Sequence, residues 1–264
     1  MNNIEISQEQ LSSFKRIWQG GYFGGDPLDP TLAWEYGDIS LISVNYALYM
    51  ALVRPNINSD TALLEIGPGR GAWTRGMLDA KEVWCLDALS AEHNGFWSYI
   101  GNQYKEKVNY FQVKNALLEE CPDNYFDFIF SFGAFCHMPL AIQRDYQKNL
   151  FKKARPSARG VIMFSDFDKL NSALNNLSAL RTVSLTWRGI SAMIRFNVGR
   201  FLGFLRNAGT KLDKNDKSDQ PGRFYHSGIT DTAAYMTSVG WRVISPDIGL
   251  NLRDPIIYFE KPRS

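Results

Sequence analysis

The sequence predicts an α/β fold, a parallel sheet with helices on both faces. Three observations carry that expectation. Between Thr61 and Asp166, short apolar runs rich in β-formers alternate with helix-like segments. The first run ends in three alternating glycines, Gly67, Gly69 and Gly71. The chain of 264 residues, 45% apolar and 14% aromatic, is long enough to bury a substantial core.

The elements follow in order. TALLEI (61–66) reads as a buried strand and GAWTRGMLDA (71–80) as a short helix. EVWCLD (82–87) is the second strand, followed by a helix-like stretch from Ser90 to about Lys105. VNYFQV (108–113) and YFDFIFSF (125–132) are the third and fourth strands. A helix from about Pro139 to Lys153 leads to the fifth, GVIMFSD (160–166). Near the end come a helix at Thr230–Val239 and the strands 241–248 and 255–261. The intervening GLNLRD is short enough to make those last two antiparallel neighbours.

Two regions flank this rhythm. Residues 1–57 hold a Gly- and aromatic-rich loop (18–30) and a helix (38–55) with a Pro stop, read as an N-terminal helical cap. Residues 168–225 form an insertion without strand pattern, dividing a core of 58–167 and 226–264.

Composition narrows the class. Apolar content is too high and net charge (+2) too low for disorder, and three Cys without metal spacing exclude a disulfide scaffold. No secretory signal and no span of about 18 apolar residues is visible, so a cytoplasmic compartment is expected. The charge is uneven: residues 170–225 carry nine Lys+Arg and three Asp, a net of +6, leaving −4 elsewhere. Within that stretch, apolar residues at 183, 187, 190, 194, 198, 201 and 205 fall on one helical stripe. Arg181, Arg188, Arg195 and Arg206 cluster about 120° from its centre. The expectation is either a lid helix or, over 181–206, a peripheral contact with an anionic membrane or lipid-linked acceptor. Nucleic acid is not expected, because the positive charge is local and no nucleic-acid fold is recognised.

The string Gly67-Pro68-Gly69-Arg70-Gly71-Ala72 lets backbone turn sharply and approach a ligand. Alone it satisfies the dinucleotide pattern, and Asp87 at the end of the second strand suits NAD equally well. With Glu65 two positions before the first glycine, the five-strand run and the terminal helix–strand–strand, the sequence resembles the class I S-adenosylmethionine-dependent methyltransferases. The resemblance covers about residues 60–166 and 229–262. It implies a Rossmann-like, seven-stranded, mostly parallel sheet of order 3-2-1-4-5-7-6 with strand 7 antiparallel. An NAD-linked oxidoreductase and a non-catalytic cofactor-binding partner remain the alternatives from other classes.

The resemblance implies S-adenosyl-L-methionine as cofactor. Glu65 belongs to its binding motif, Gly67, Gly69 and Gly71 line the methionine part, and Asp87 holds the ribose with Ala88 beside it. Asn115 and Ala116 meet the adenine, Asn115 standing where many relatives carry Asp, and Ser131 and Phe132 flank the sulfonium. Asp127, at the start of the fourth strand, reads as structural.

The candidate general base is His137, directly after the fourth strand at the sheet edge where open α/β folds bind ligands. The following helix N-terminus disfavours imidazolium there; the alternative is a capping or packing His. Tyr36, Asp166, Asp168 and His226 are candidate substrate residues, while His93 reads as surface and Cys136 as core. Mg²⁺ at Asp166 and Asp168 is the minority alternative, since two carboxylates at i, i+2 do not define a site, and no metal is assigned. The segments FCHMP, FSDFD and SPDIGLNLRDPIIYF resemble methyltransferases associated with bacterial polysaccharide and glycolipid biosynthesis. That resemblance implies O-methylation of a carbohydrate or glycolipid acceptor, with a small-molecule methyltransferase of secondary metabolism as the runner-up. Trp18, Tyr22, Phe23, Trp34 and Tyr36 either stack on sugar faces or pack as a lid.

Overall fold

The computed structural model describes residues 8, 11, 12, 15, 45–179, 224–251 and 253–263. Tyr36, the aromatic loop 18–30, the start of the helix expected from residue 38, and the stripe and arginines of 181–206 lie outside the described residues. The chain divides into two compact units, Met1–Asp166 with Asp219–Ser264, and Phe167–Ser218. Among the described residues no helix is long and apolar enough to cross a membrane.

The first unit is built on seven strands: β1 (Ala62–Ile66), β2 (Glu82–Asp87), β3 (Val108–Gln112), β4 (Phe126–Ser131), β5 (Ala154–Met163), β6 (Arg242–Ser245) and β7 (Ile256–Glu260). Their order is β3-β2-β1-β4-β5-β7-β6. The pairs from β3 to β5 are parallel, and β7 runs antiparallel to both β5 and β6. This is the expected order. An antiparallel strand between β5 and β6 departs from the 3-2-1-4-5-6 dinucleotide arrangement, which resolves the ambiguity that the glycine string left.

Helices in this unit are α1 (Ala72–Gly76), α2 (Phe96–Ile100), α3 (Leu140–Lys153) and, after the insertion, α5 (Ile229–Val239). The second unit contributes α4 (Phe167–Ala179). Residues 45–48 are α-helical and run into a π-helical turn at Tyr49–Val53.

Strand residues alternate between two buried layers. Leu64, Ile66, Ile129 and Ile162 pack with Ile142, Tyr146 and Leu150 of α3 and Met236 of α5. Leu63, Phe128, Phe130 and Val161 pack with Leu48 and Val53, with Trp73 and Met77, and with Phe96 and Ile100. All five residues of β1 are buried, as required of a strand covered on both faces. Burying one such Leu or Ile contributes about 1.5–3 kcal/mol, so the sheet is the rigid base for the loops at its edge.

Of the element bounds that differ from expectation, two have clear local reasons. The helix expected over 90–105 is broken, because Gly95 (φ 60°) and Gly101 (φ 103°) take conformations outside the right-handed helix. Only Phe96–Ile100 is α-helical, followed by a 3-10 turn at Asn102–Tyr104. β5 starts at Ala154 rather than 160, with Pro156 inside it and a register shift between Phe126 and Phe128 on β4. The helix α3 therefore passes into β5 with no loop, and Lys261 Nζ donates to the Phe151 and Ala154 carbonyls at this junction.

Candidate active site

The C-terminal ends of β1, β2 and β4 converge on the glycine turn. The Gly67 N–H donates to Leu86 O at 2.8 Å, stitching the turn to the end of β2. Gly67, Gly69 and Gly71 have φ of 72°, 55° and 98°. A Cβ at Gly67 would lie 2.3 Å from Ala134 Cβ, and one at Gly71 would lie 2.5 Å from Ile100 Cγ2. Both the backbone conformation and close packing therefore demand glycine at 67 and 71. At 71 the tight neighbours belong to α2.

Glu65 lies under this turn rather than open to a ligand. It is 2% exposed, and Thr74 Oγ1 of α1 donates to its Oε2 at 2.6 Å. Burial pushes its carboxyl up to about 7, against the Thr74 and Cys85 hydrogen bonds that favour the charged form. The carboxyl thus ties α1 to β1 and β2 and fixes the helix that follows the glycines.

Asp87 closes β2 and faces the same turn. Its Oδ2 accepts the Gly69 N–H at 3.0 Å and its Oδ1 the Leu89 N–H at 2.8 Å. The Asn94 side-chain amide, which donates to the Tyr110 hydroxyl at 2.8 Å, favours the charged form of Asp87. Burial raises its pKa, while these donors and His93 oppose the rise. Ala88 is half-buried, its carbonyl accepting from Gln112 Nε2. Beyond β3, Asn115 Oδ1 accepts the Leu117 N–H at 2.9 Å, so part of its acceptor capacity is spent on its own turn. Ala116 is buried, and its carbonyl is held by Asn149 Nδ2.

At the end of β4, the Ser131 hydroxyl is buried and donates to Ile66 O at 2.8 Å, joining β4 to β1. Phe132 packs on Trp73 with ring centroids 4.8 Å apart. The chain then turns through Gly133 (φ 80°) into a 3-10 turn, Phe135–His137. His137 is half-buried, and Pro139 N-caps α3 just beyond it. Its ring lies 4.5 Å from Phe224, whose ring also carries the Arg253 guanidinium at 3.6 Å. The next residue of that returning segment, Tyr225, donates its N–H to Cys136 O at 2.9 Å. Cys136 is buried, and burial pushes its thiol well up, as suits a core residue.

Two further candidates, Asp166 and His226, stand where the returning chain meets the end of β5. Asp166 is buried; its Oδ2 accepts the Ile229 N–H at 2.8 Å in the first turn of α5, and its Oδ1 is 3.9 Å from His226 Nδ1. His226 bridges to Ser165, whose hydroxyl donates to buried Asp254. Asp254 in turn holds Arg253. His93 is exposed. Asp168 is an exposed residue in the first turn of α4. Asp127 accepts the Ala62 N–H at 2.9 Å and pairs with Arg155, a structural role.

Sequence reasoning missed Thr74, Asn94, Phe224 and Arg253. The first is one helical turn beyond the glycines, a visible offset. Phe224 reaches His137 across 87 residues of chain and Arg253 stacks on Phe224 in turn, and no local pattern announces that.

The turn fits S-adenosylmethionine on two counts. Positive φ at three glycines keeps Cβ atoms off the turn, and Asp87 supplies a carboxylate at its mouth, where ribose hydroxyls need acceptors. Comparison with known proteins agrees. The family described as Methyltransferase domain matches residues 44–200, more than half of the chain. No curated protein sequence matches the chain. Among solved structures, the fold is similar to a S-adenosylmethionine-dependent methyltransferase from Aquifex aeolicus, with 15% identity, 88% of this chain and 98% of that one covered, and TM-score 0.50. It is also similar to magnesium protoporphyrin IX methyltransferase from Synechocystis PCC 6803 with bound S-adenosylhomocysteine, with 11% identity, 96% and 95% covered, and TM-score 0.53. A third is 1,6-didemethyltoxoflavin-N1-methyltransferase from Burkholderia thailandensis, with 11% identity, 99% and 93% covered, and TM-score 0.51. With its sheet order, glycine turn and family match together, this chain belongs to the Methyltransferase domain family, the class I S-adenosylmethionine-dependent methyltransferases.

Proposed function

We propose that this methyltransferase acts on a sugar hydroxyl of a glycan or glycolipid, with His137 as general base. S-adenosylmethionine supplies a methyl group on a sulfonium that departs as a neutral thioether. The chain's own residues must hold the acceptor in line and take its proton, because a sugar hydroxyl is a poor nucleophile until deprotonated. The observation that carries the reading is the place of His137. It follows β4 within six residues, and Ala134, in the same turn, packs on Gly67 of the cofactor turn. Phe224 packs against the imidazole from the returning segment, which limits its rotation. The Gly67, Gly69 and Gly71 turn, Asp87 with Ala88, and Asn115 with Ala116 serve the cofactor. Asp166 and His226 stand beside the acceptor, with Tyr36 and Asp168 in the same candidate set.

The sugar assignment rests on the segments FCHMP, FSDFD and SPDIGLNLRDPIIYF. It is tested by incubation with methyl-labelled S-adenosylmethionine and two acceptor sets, nucleotide sugars with lipid-linked oligosaccharides and small phenols with heterocyclic amines. Label in a sugar hydroxyl supports the reading; label only in the second set assigns the small-molecule class instead. The net charge of +6 over 170–225 supports a contact with anionic lipid through 181–206. Sedimentation with phosphatidylglycerol vesicles, but not with neutral ones, is the expected result, and no sedimentation with either removes that contact.

A further inference from the structure

The turn that carries His137 is clamped on both sides of that residue. The Cys136 carbonyl accepts the Tyr225 N–H at 2.9 Å, and the Met138 carbonyl accepts Gln143 Nε2 at 2.8 Å. Gln143, fully buried on α3, accepts the Ser227 hydroxyl on its Oε1 at 2.8 Å. The backbone around His137 is therefore held, and rotation of the imidazole is the freedom that remains. Phe224 limits it, with ring centroids 4.5 Å apart and planes inclined at 45°. Phe224 is itself half-buried, so its own ring needs a support.

Arg253, between β6 and β7, provides one. Its guanidinium lies 3.6 Å from the Phe224 ring centroid, a close cation–π stack. Asp254 sets the plane of that guanidinium, its two carboxylate oxygens accepting Nε and Nη2 separately. Asp254 is 3% exposed and also accepts the hydroxyl of buried Ser165, just beyond β5. The Arg253 carbonyl accepts the Asp166 N–H at 3.2 Å. The stack is thus tied to the end of β5 by both backbone and side chain. An ion pair serving the loop alone would require charge, which lysine also supplies. Flat stacking combined with a two-pronged bond requires the planar fork of arginine.

We propose that Arg253 is a positioning residue for His137: through Phe224, it holds the imidazole in the orientation that takes the acceptor proton. This rests on the reading of His137 as general base. Orientation matters because the base nitrogen must stay within hydrogen-bond reach of the hydroxyl as the methyl group moves.

The test compares Arg253→Lys with the parent chain. Lysine keeps a cation beside buried Asp254 but loses the fork and the flat stack. Calorimetry with S-adenosylhomocysteine is expected to give an affinity within about twofold of the parent; loss of that binding would mean a general structural role and overturn the proposal. The next readout needs no acceptor. The chain has three histidines, so the imidazole proton resonances of His137 are assigned by their disappearance in His137→Gln. In the parent they are expected to be displaced by the ring current of Phe224, and in Arg253→Lys the displacement shrinks towards that of Phe224→Leu. The last is turnover on nucleotide sugars, lipid-linked oligosaccharides, phenols or heterocyclic amines, whichever takes label. Arg253→Lys is expected to lower kcat about tenfold with KM within about twofold, and to add no further loss in the His137→Gln background. Full turnover in His137→Gln would sink the general-base reading, and this proposal with it. With His137→Gln impaired, unmoved His137 resonances, an unchanged kcat in Arg253→Lys or an equal loss in both backgrounds would overturn the positioning role alone.

Discussion

Gly67 and Ala134 are packed so closely that a β-carbon added to Gly67 would lie 2.3 Å from the Ala134 β-carbon. The contact joins the cofactor turn after β1 to the segment after β4 that carries His137. Substitution at Gly67 therefore strains two loops at once, since φ of 72° already disfavours any side chain.

For Gly67→Ala, the expected cost is about 2–5 kcal/mol from the left-handed backbone and overpacking combined, with loss of S-adenosylhomocysteine binding. Urea unfolding and calorimetry on the same preparation check both. Binding at parental affinity would show that the turn tolerates a side chain and is not a close-contact surface.

Glu65 has a pH signature. Its carboxyl is pushed up to about 7 by burial, from an ordinary 4.5. Between those values the folded chain keeps a proton that the unfolded chain releases. The Glu65 contribution is therefore fully present below pH 4.5 and lost as pH rises to 7, by roughly 3 kcal/mol. Unfolding at pH 5 and pH 8 without cofactor should show that slope, flattened in Glu65→Gln. An identical slope in the variant would mean that other groups carry it.

His137→Gln should lower turnover by about 10²–10⁴-fold and leave S-adenosylhomocysteine affinity within a few-fold. The measurement is a rate assay on the identified acceptor across pH, because loss of a base also removes its inflection. Full turnover would reduce His137 to a packing residue against Phe224.

Asp127→Ala separates structure from chemistry. The carboxylate accepts the Ala62 N–H and pairs with Arg155, so its loss should cost about 1–3 kcal/mol with unchanged cofactor affinity. A large fall in affinity without a fall in melting temperature would contradict the structural role.

How much was legible follows from where each interaction lies. The strands were readable because β1, β2 and β4 are buried on both faces and written as near-continuous apolar runs. Their order came through resemblance, since β5 pairs with β7 across about a hundred residues of chain, whereas the antiparallel pairing of β6 with β7 was readable from their short connection. Glu65 was readable as part of the glycine motif but not as a buried tie to Thr74, because strand alternation does not say which polar residue finds a partner inside. The burial of Asn94 was invisible, since its hydrogen-bond partner Tyr110 reaches it from β3. Broken helices such as 90–105 followed from glycine conformations that composition alone does not reveal.

The central claim, that the glycine turn and Asp87 bind the nucleoside of S-adenosylmethionine, is tested most directly by calorimetric titration of the full chain with S-adenosylhomocysteine and, in parallel, with NAD. The account predicts saturable one-to-one binding of S-adenosylhomocysteine, lost in Asp87→Ala, and no heat with NAD. Binding of NAD with no heat from S-adenosylhomocysteine would contradict it.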